Sequence, residues 1–213
     1  MFNKNKEMTY IKPLLCLLLT LLNLCVANAQ GSVFKSDDHC LAYRTPKKMF
    51  FFTNVIVIGK SCEVQARAEN KEQQVRFIVS VPVVSFDSDN GFRDGQVQEI
   101  LKAEQHPELR FESVWMTSLQ IKKALKSGKE NLRGELTLAG RTYPVSFSLN
   151  LTLVAGKLRI VGHLETNYSA LDIEPPVVGP GGFIANVQDS LELLVQLHSD
   201  QIIGFQEAVE SGP

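Results

Sequence analysis

Histidine is the side chain best suited to acid–base or zinc chemistry near neutral pH, and the chain has four histidines. Zinc sites usually place a second histidine or a cysteine two to four residues from the first, and no histidine here has a neighbour at that spacing. His106 lies among glutamates, but a solvated acidic helix end explains that setting. We therefore predict no metal site. The histidines are His39, His106, His163 and His198.

Two glycine-containing segments resemble phosphate-binding loops only in part. Gly59-Lys60-Ser61 ends like a P-loop, but Asn54 stands where that motif needs its first glycine. The glycines at 179, 181 and 182 lie among prolines and precede no predicted helix. The chain also lacks a Gly-x-Ser-x-Gly motif. The sequence thus predicts no catalytic residue and no cofactor.

An Arg-Asp pair, Arg93 and Asp94, follows a turn-forming Asp-Ser-Asp-Asn-Gly segment. Asp94 is expected to cap a helix, and Arg93 to bond loop carbonyls or a carboxylate such as Asp87. The alternative is that Arg93 meets the head group of a ligand. Downstream, four lysines between 122 and 129 form a basic run. They are interpreted as a solvated face, with an anionic lipid head or a membrane surface as the alternative contact.

Strands with one buried face are the elements that must position these side chains. Apolar residues occupy every second position from Tyr143 to Leu153, and similar alternation occurs near 132–138, 158–164 and 191–197. This period indicates antiparallel strands joined by short turns. Too little helix is present to cover their apolar face from outside. We therefore predict an all-β, lipocalin-like, up-and-down barrel of about eight strands.

The remaining segments give weaker signals. A short helix is predicted over 95–104, with Pro107 ending it. Residues 121–127 contain good helix formers, yet a strand pair is the alternative. The apolar runs 49–52 and 55–58 are predicted as early strands. Residues 174–182 predict an irregular loop, because three prolines and three glycines fall there. The tail from 200 to 213 is expected either to dock as a short helix or to stay loose.

The first 29 residues have the pattern of a signal peptide, with a lysine-containing start, an apolar stretch and small residues at 27 and 29. Residues 30–213 are then expected to form a single domain that is periplasmic or secreted, with no transmembrane anchor. The leader carries three Lys and one Glu, so its removal changes the net charge from −1 to −3. That weakly acidic balance argues against a nucleic-acid partner.

Two of the four cysteines, Cys40 and Cys62, lie beyond the leader. Exported cysteines are expected to pair, and these two permit a single connectivity. A bridge between them would close a loop of about twenty residues and contribute roughly 3 kcal/mol in the chain-entropy model. We predict a structural disulfide, since no CxxC spacing and no nearby histidine cluster suggests a redox or metal pair.

Two longer stretches resemble the YceI-like family. They are VRFIVSVPVVSFDSDNGFRDGQVQEILKAEQHPELRFES, from Val75, and GELTLAGRTYPVSFSL, from Gly134. The resemblance covers about residues 50–197 and implies a secreted, lipocalin-like β-barrel that holds a long lipid. The N-terminal part departs most from the family, and Cys40 and Cys62 are not a hallmark of it.

The resemblance implies a periplasmic or secreted protein that binds a long isoprenoid or acyl chain in the barrel and is not an enzyme. A packed core without a cavity, serving as an interaction module of the cell envelope, is one alternative. An extracytoplasmic enzyme with its site at the barrel mouth, using His106 or His163, is another. The oligomeric state is left open. The residues predicted to line the cavity are Phe77, Val79, Val81, Trp115, Leu136, Phe147, Leu149, Ile160 and Leu193.

Overall fold

The computed structural model describes residues 32–210. The predicted signal peptide, at 1–29, lies outside these residues. From Val33 onward the described residues belong to one compact unit. They form strands β1 Cys40–Met49, β2 Thr53–Ser61, β3 Gln65–Lys71, β4 Gln74–Pro82, β5 Glu108–Ser113, β6 Met116–Thr117, β7 Lys129–Leu138, β8 Arg141–Val154, β9 Lys157–Asn167, β10 Val177–Val178, β11 Ala185–Val187, β12 Ser190–His198 and β13 Ile202–Ile203. The α-helices are α1 Gly91–Ile100, α2 Ser118–Ser127 and α3 Phe205–Glu210.

One curled sheet contains all of these strands. Its long members follow the order β3-β4-β5-β7-β8-β9-β12-β1-β2, and each pairs antiparallel with its neighbour. Consecutive strands are therefore mostly adjacent, and the first strand lies beside the last long one. This is the predicted all-β, lipocalin-like architecture, with nine long strands instead of about eight.

Backbone pairing does not close the sheet between β2 and β3 in the described residues. The end of β2 instead forms an isolated bridge in which Lys60 and Asp87 exchange two backbone hydrogen bonds, at 2.8 and 2.9 Å. Inside, Leu41 of β1 and Ala66 of β3 belong to the same buried cluster. Side chains and a few backbone bonds thus replace a ladder at this seam, the boundary between β2 and β3.

The alternation of the central strands matches their burial. On β8, Phe147 is buried while its neighbours Ser146 and Ser148 are exposed. On β9, Gly162 and Leu164 are buried on the same face. The period-two pattern therefore identifies the inward face correctly, since alternate side chains of a strand point to opposite sides of its sheet.

The predicted helix at 95–104 is present but begins four residues earlier, at Gly91. Asn90 caps the helix by accepting a hydrogen bond from the Arg93 backbone at 3.0 Å. The prediction that Asp94 is the cap was therefore wrong. Asp94 accepts from the Ser88 backbone and hydroxyl, and Arg93 donates to the Ser88 carbonyl. The pair fixes the turn before the helix. The helix ends at Ile100, well before Pro107.

Residues 121–127, for which the sequence allowed either a helix or a strand pair, form a helix. Thr117 and Gln120 form a reciprocal capping box at the start of α2, and Gly128 ends the helix in a left-handed conformation with φ 69°. Ile121 and Ala124 are buried, and Ile121 packs in a cluster with Val75 of β4 and Met116 of β6. The tail docks as well, because Ala208 of α3 is fully buried in the same cluster.

The run 49–52 was wrongly predicted as a strand. Met49 ends β1, and Phe50 to Phe52 form the turn that joins it to β2. The run 55–58 does lie in β2. The error arose because this turn contains no glycine, asparagine or proline, the residues that usually mark a turn.

Cys40 and Cys62 form a disulfide that joins the start of β1 to the residue after β2. Cys40 is fully buried. Nearby, Lys60 makes an ion pair with Asp38 at 2.9 Å, and this pair lowers the pKa of the Asp38 carboxyl. The disulfide therefore lies next to the unpaired seam.

Replacing both cysteines, as Cys40→Ser with Cys62→Ser, is expected to lower the free energy of unfolding by about 3 kcal/mol, because the unfolded chain regains the freedom of the closed loop. Urea unfolding with and without reductant measures this loss. Reductant should reproduce the loss in the parent chain and leave the double variant unchanged. Equal stability of parent and variant would contradict a stabilising bridge.

Candidate functional site

In the part of the chain that the structure describes, two cavities lie along the inward face of the sheet. The larger of the two, cavity 1, has a volume of about 110 Å³. Apart from Arg67 and Glu130 its lining is apolar. The apolar residues are Leu41, Ala66, Phe77, Ile78, Val79, Phe111, Met116, Ile121, Ala124, Leu125, Leu132, Phe147, Leu149, Leu151, Leu158, Ile160, Val195, Leu197, Ile202 and Phe205.

Helices close one end of cavity 1. Ile121, Ala124 and Leu125 of α2 and Phe205 of α3 contribute to its wall. The two helices pack together on β4 and β6 through a cluster that includes Val75. This end of the barrel is thus covered by apolar helix faces, while strands supply the remaining wall.

Cavity 2 has a volume of about 80 Å³ and is lined by α1, by strand ends and by the segment 168–176. Its polar groups are two tyrosines, Tyr43 and Tyr168, and burial raises the pKa of both hydroxyls. The Tyr43 ring lies against Gly59 of β2, where a Cβ would be 2.3 Å from a ring carbon. Gly59 therefore belongs to a strand that accommodates a ring and not to a phosphate-binding loop.

A packed layer separates the two cavities. On β7, Leu132 lines cavity 1 and Leu138 lines cavity 2, while Leu136 lies between them and is 1% exposed. Val81 of β4 is fully buried in the same cluster. The interior is therefore neither filled throughout nor one continuous bore.

The structure brings five of the nine predicted lining residues together around cavity 1: Phe77, Val79, Phe147, Leu149 and Ile160. Leu193 lines cavity 2 instead. Val81 and Leu136 face inward but belong to the separating layer and line neither cavity. Whether any of them binds a ligand stays a prediction.

Trp115 was wrongly placed in the lining. β5 ends at Ser113, and β6 resumes the pairing with β4 one residue out of register, since Ile78 lies opposite Glu112 but Val75 lies opposite Met116. The period-two assignment therefore does not extend to Trp115. Met116 takes the inward position and lines cavity 1. The Trp115 ring instead lies under Arg76, whose guanidinium carbon is 5.0 Å from the ring centroid.

Two inward glycines make room for large side chains. A Cβ at Gly162 would lie 2.6 Å from Cγ1 of Val195 and 2.9 Å from Cδ2 of Leu149. A Cβ at Gly134 would lie 2.6 Å from the ring of Phe111. The alternation of these glycines with leucines was visible in the sequence, but their neighbours across the sheet were not.

The ion-paired groups on β1, β9 and β12 lie away from both cavities. His163 contacts Glu192 at 2.9 Å, and Arg44 makes an ion pair with the same carboxylate. Arg44 chiefly, and His163 next, hold the pKa of Glu192 below its usual value. None of these residues lines a cavity, and neither does His106. Among the described residues, the lining of either cavity contains no serine, cysteine or histidine.

The one grouping with metal-ligand character in the described part of the chain is Asp38 with Cys40 and Cys62. Both sulfurs are used in the disulfide, so no thiolate is available to hold an ion. Over residues 32–210, no helix is both long and apolar enough to cross a membrane.

The fold and its apolar interior define a lipocalin-like β-barrel. Residues 44–198 match the model of the YceI-like domain, so the chain belongs to the YceI-like family. No curated protein matched the sequence.

Solved structures share the fold at low sequence identity. BcnA of Burkholderia cenocepacia has a TM-score of 0.56 and 17% identity, over 75% of this chain and 95% of that one. A polyisoprenoid-binding domain from Saccharophagus degradans, implicated in plant cell wall breakdown, has a TM-score of 0.55 and 10% identity, over 74% and 92%. These likenesses support the barrel architecture.

A buried histidine couples the barrel to pH. His39 is 8% exposed, and its Nδ1 accepts a hydrogen bond from the His198 backbone at 3.1 Å. Burial first, and repulsion by His198 second, lower its pKa from the ordinary 6.5. Because the unfolded chain binds this proton more readily, the stability that His39 contributes is complete above pH 6.5 and declines as the pH falls toward the lower folded-state pKa.

The variant His39→Asn is expected to flatten this decline, because an asparagine oxygen keeps the acceptor and does not take up a proton in this range. The free energy of unfolding, measured by urea at pH values from 7 down to about 5, compares the two chains. Carboxylates contribute mainly at lower pH. An unchanged slope in the variant would contradict the assignment to His39.

Proposed function

We propose that this protein is an exported lipid-binding protein that holds a long isoprenoid or acyl chain inside its barrel. Cavity 1 carries the proposal, because its wall is almost entirely apolar and is built from strands and helices together. Such a wall provides no group for chemistry, so binding and not catalysis is the function that it supports. The polyisoprenoid-binding domain that shares the fold adds support for this class of ligand.

The two charged residues at cavity 1 have their charged groups engaged by other groups of the protein. Arg67 pairs with Glu69 at 3.2 Å, and the Glu130 carboxylate accepts a backbone hydrogen bond from Asn131 at 3.0 Å. Apolar contact must then supply most of the affinity. Burying ten methylene equivalents contributes roughly 8 kcal/mol, from which association and ordering costs subtract several kcal/mol. A long chain therefore reaches useful affinity without a polar anchor.

The disulfide supports an exported location. Such bonds persist in oxidising compartments and are rare where thiols are kept reduced. Together with the leader-like start of the sequence, it favours a periplasmic or secreted protein.

The test is to narrow one cavity at a time. Ala124→Phe places a ring in cavity 1, and Val97→Phe places the same ring in cavity 2, since these residues line the two spaces. We expect Ala124→Phe to weaken binding of a prenyl or acyl lipid by about tenfold or more, the equivalent of about 1.4 kcal/mol. Val97→Phe should leave affinity close to that of the parent. Native mass spectrometry and titration with delipidated protein measure both.

Circular dichroism and unfolding curves show whether each variant keeps the parent fold. Protein purified from its own host that is always ligand-free, and that also ignores added prenyl and acyl lipids, would contradict the proposal. An equal loss of lipid affinity in Ala124→Phe and Val97→Phe would contradict the assignment of the binding site to cavity 1.

A further inference from the structure

The β1–β2 turn and the neighbouring loop before β11 expose a compact group of large apolar side chains. We call this group the aromatic tip: Phe50, Phe51, Phe52, Phe183 and Ile184. Phe52 is 87% exposed, and the other four are 43–55% exposed. Soluble proteins rarely expose so many adjoining apolar side chains unless the surface binds something.

The two loops of the tip are held together. The Phe183 ring lies 5.9 Å from that of Phe50 and 5.4 Å from that of Phe51, both edge to face. The Phe50 backbone donates to the carbonyl of Ile184 at 3.4 Å, and Ile184 in turn donates to Val178 at 3.1 Å. The tip is thus an ordered surface built from two segments distant in sequence.

The backbone of the turn disfavours the residues it carries. Phe50 and Phe51 have φ values of 48° and 64°, and Phe52 donates to the Met49 carbonyl at 3.1 Å. These are the φ signs of a type I′ turn, which asparagine and glycine fill with little strain and bulky residues do not. Folding alone therefore does not account for phenylalanine at both positions.

The charged residues around the aromatic tip indicate which kind of partner it binds. Residues 45–58 and 176–188, which form the tip and its base, include Lys47 and Lys48 and contain no Asp or Glu. A protruding group of aromatic rings beside basic residues suits a bilayer with anionic lipids. The rings can enter the interface, and the ammonium groups can stay at head-group level.

We propose that the aromatic tip docks the protein onto a lipid bilayer that contains anionic lipids. The tip lies at the cavity 2 end of the barrel. Tyr43 of β1 is part of the cavity 2 wall, and β1 continues from there for about 20 Å to Met49, next to the tip. This inference concerns a surface and does not depend on what the cavities hold.

Tryptophan at the tip reports contact with the bilayer directly. Phe52→Trp emission should shift to the blue when vesicles of phosphatidylethanolamine and phosphatidylglycerol are added. Leu119→Trp is the matched control, because Leu119 is 77% exposed on α2, which lines the other cavity. Its emission should not shift. No shift at position 52, or equal shifts at both positions, overturns the proposal.

Sedimentation with the same vesicles tests the residues themselves. Phe52→Ser should reduce the pelleted fraction severalfold relative to Leu119→Ser. The pair Lys47→Gln with Lys48→Gln should remove the preference for these vesicles over pure phosphatidylcholine. Phe50→Asn with Phe51→Gly should lose binding while its melting temperature stays equal or rises, so a folding defect cannot explain the loss.

A second copy of the chain is the competing occupant. If the parent chain self-associates in sedimentation velocity and Phe52→Ser makes it monomeric while vesicle binding is unchanged, the tip is a dimer contact and the membrane proposal is wrong. A parent chain whose association state Phe52→Ser leaves unaltered agrees with membrane docking.

Discussion

The inward apolar face of one curled sheet is the constraint on which the rest of the structure depends. In the described residues only short helices are available to cover it, so the sheet must cover itself by curling. Backbone pairing completes this everywhere except between β2 and β3. Around that seam the chain uses other links: the Cys40–Cys62 disulfide, the Lys60–Asp87 bridge and the Asp38–Lys60 ion pair. The disulfide, the isolated bridge and the ion pair thus lie together around the seam, where the strands do not pair.

The interior shows why such a barrel is suited to holding something. Protein cores normally pack as densely as organic crystals, and lining atoms that face a void lose their dispersion contacts. Here Phe111 and Phe147 pack edge to face at 5.2 Å and form part of the cavity 1 wall. The apolar wall offers water few partners, so an apolar ligand restores the missing contacts better than water does. A cavity with such a wall therefore costs stability, and an apolar chain bound there would offset that cost.

Much of the fold and part of the cavity 1 wall follow from period-two patterning alone. Phe147, Leu149 and Ile160 were correctly placed in the cavity wall, because alternation along a strand states directly which face is inward. Ile121, Ala124 and Phe205 were missed, since a helix contributes to a cavity only through its tertiary docking. The shift of α1 has a local cause: Asn90 and Asp94 both suit a cap, and only the Ser88 hydrogen bonds show that Asp94 is used elsewhere.

The two ends of the barrel differ in a way that folding requirements do not explain. At one end α2 and α3 bury apolar faces against the sheet, as stability favours. At the other, the β1–β2 turn keeps phenylalanine in left-handed backbone positions and leaves Phe52 almost fully exposed. Asparagine and glycine would relieve the backbone strain and reduce the apolar surface together. A turn that carries both costs in adjoining aromatic residues indicates that the exposed rings serve an interaction outside the fold.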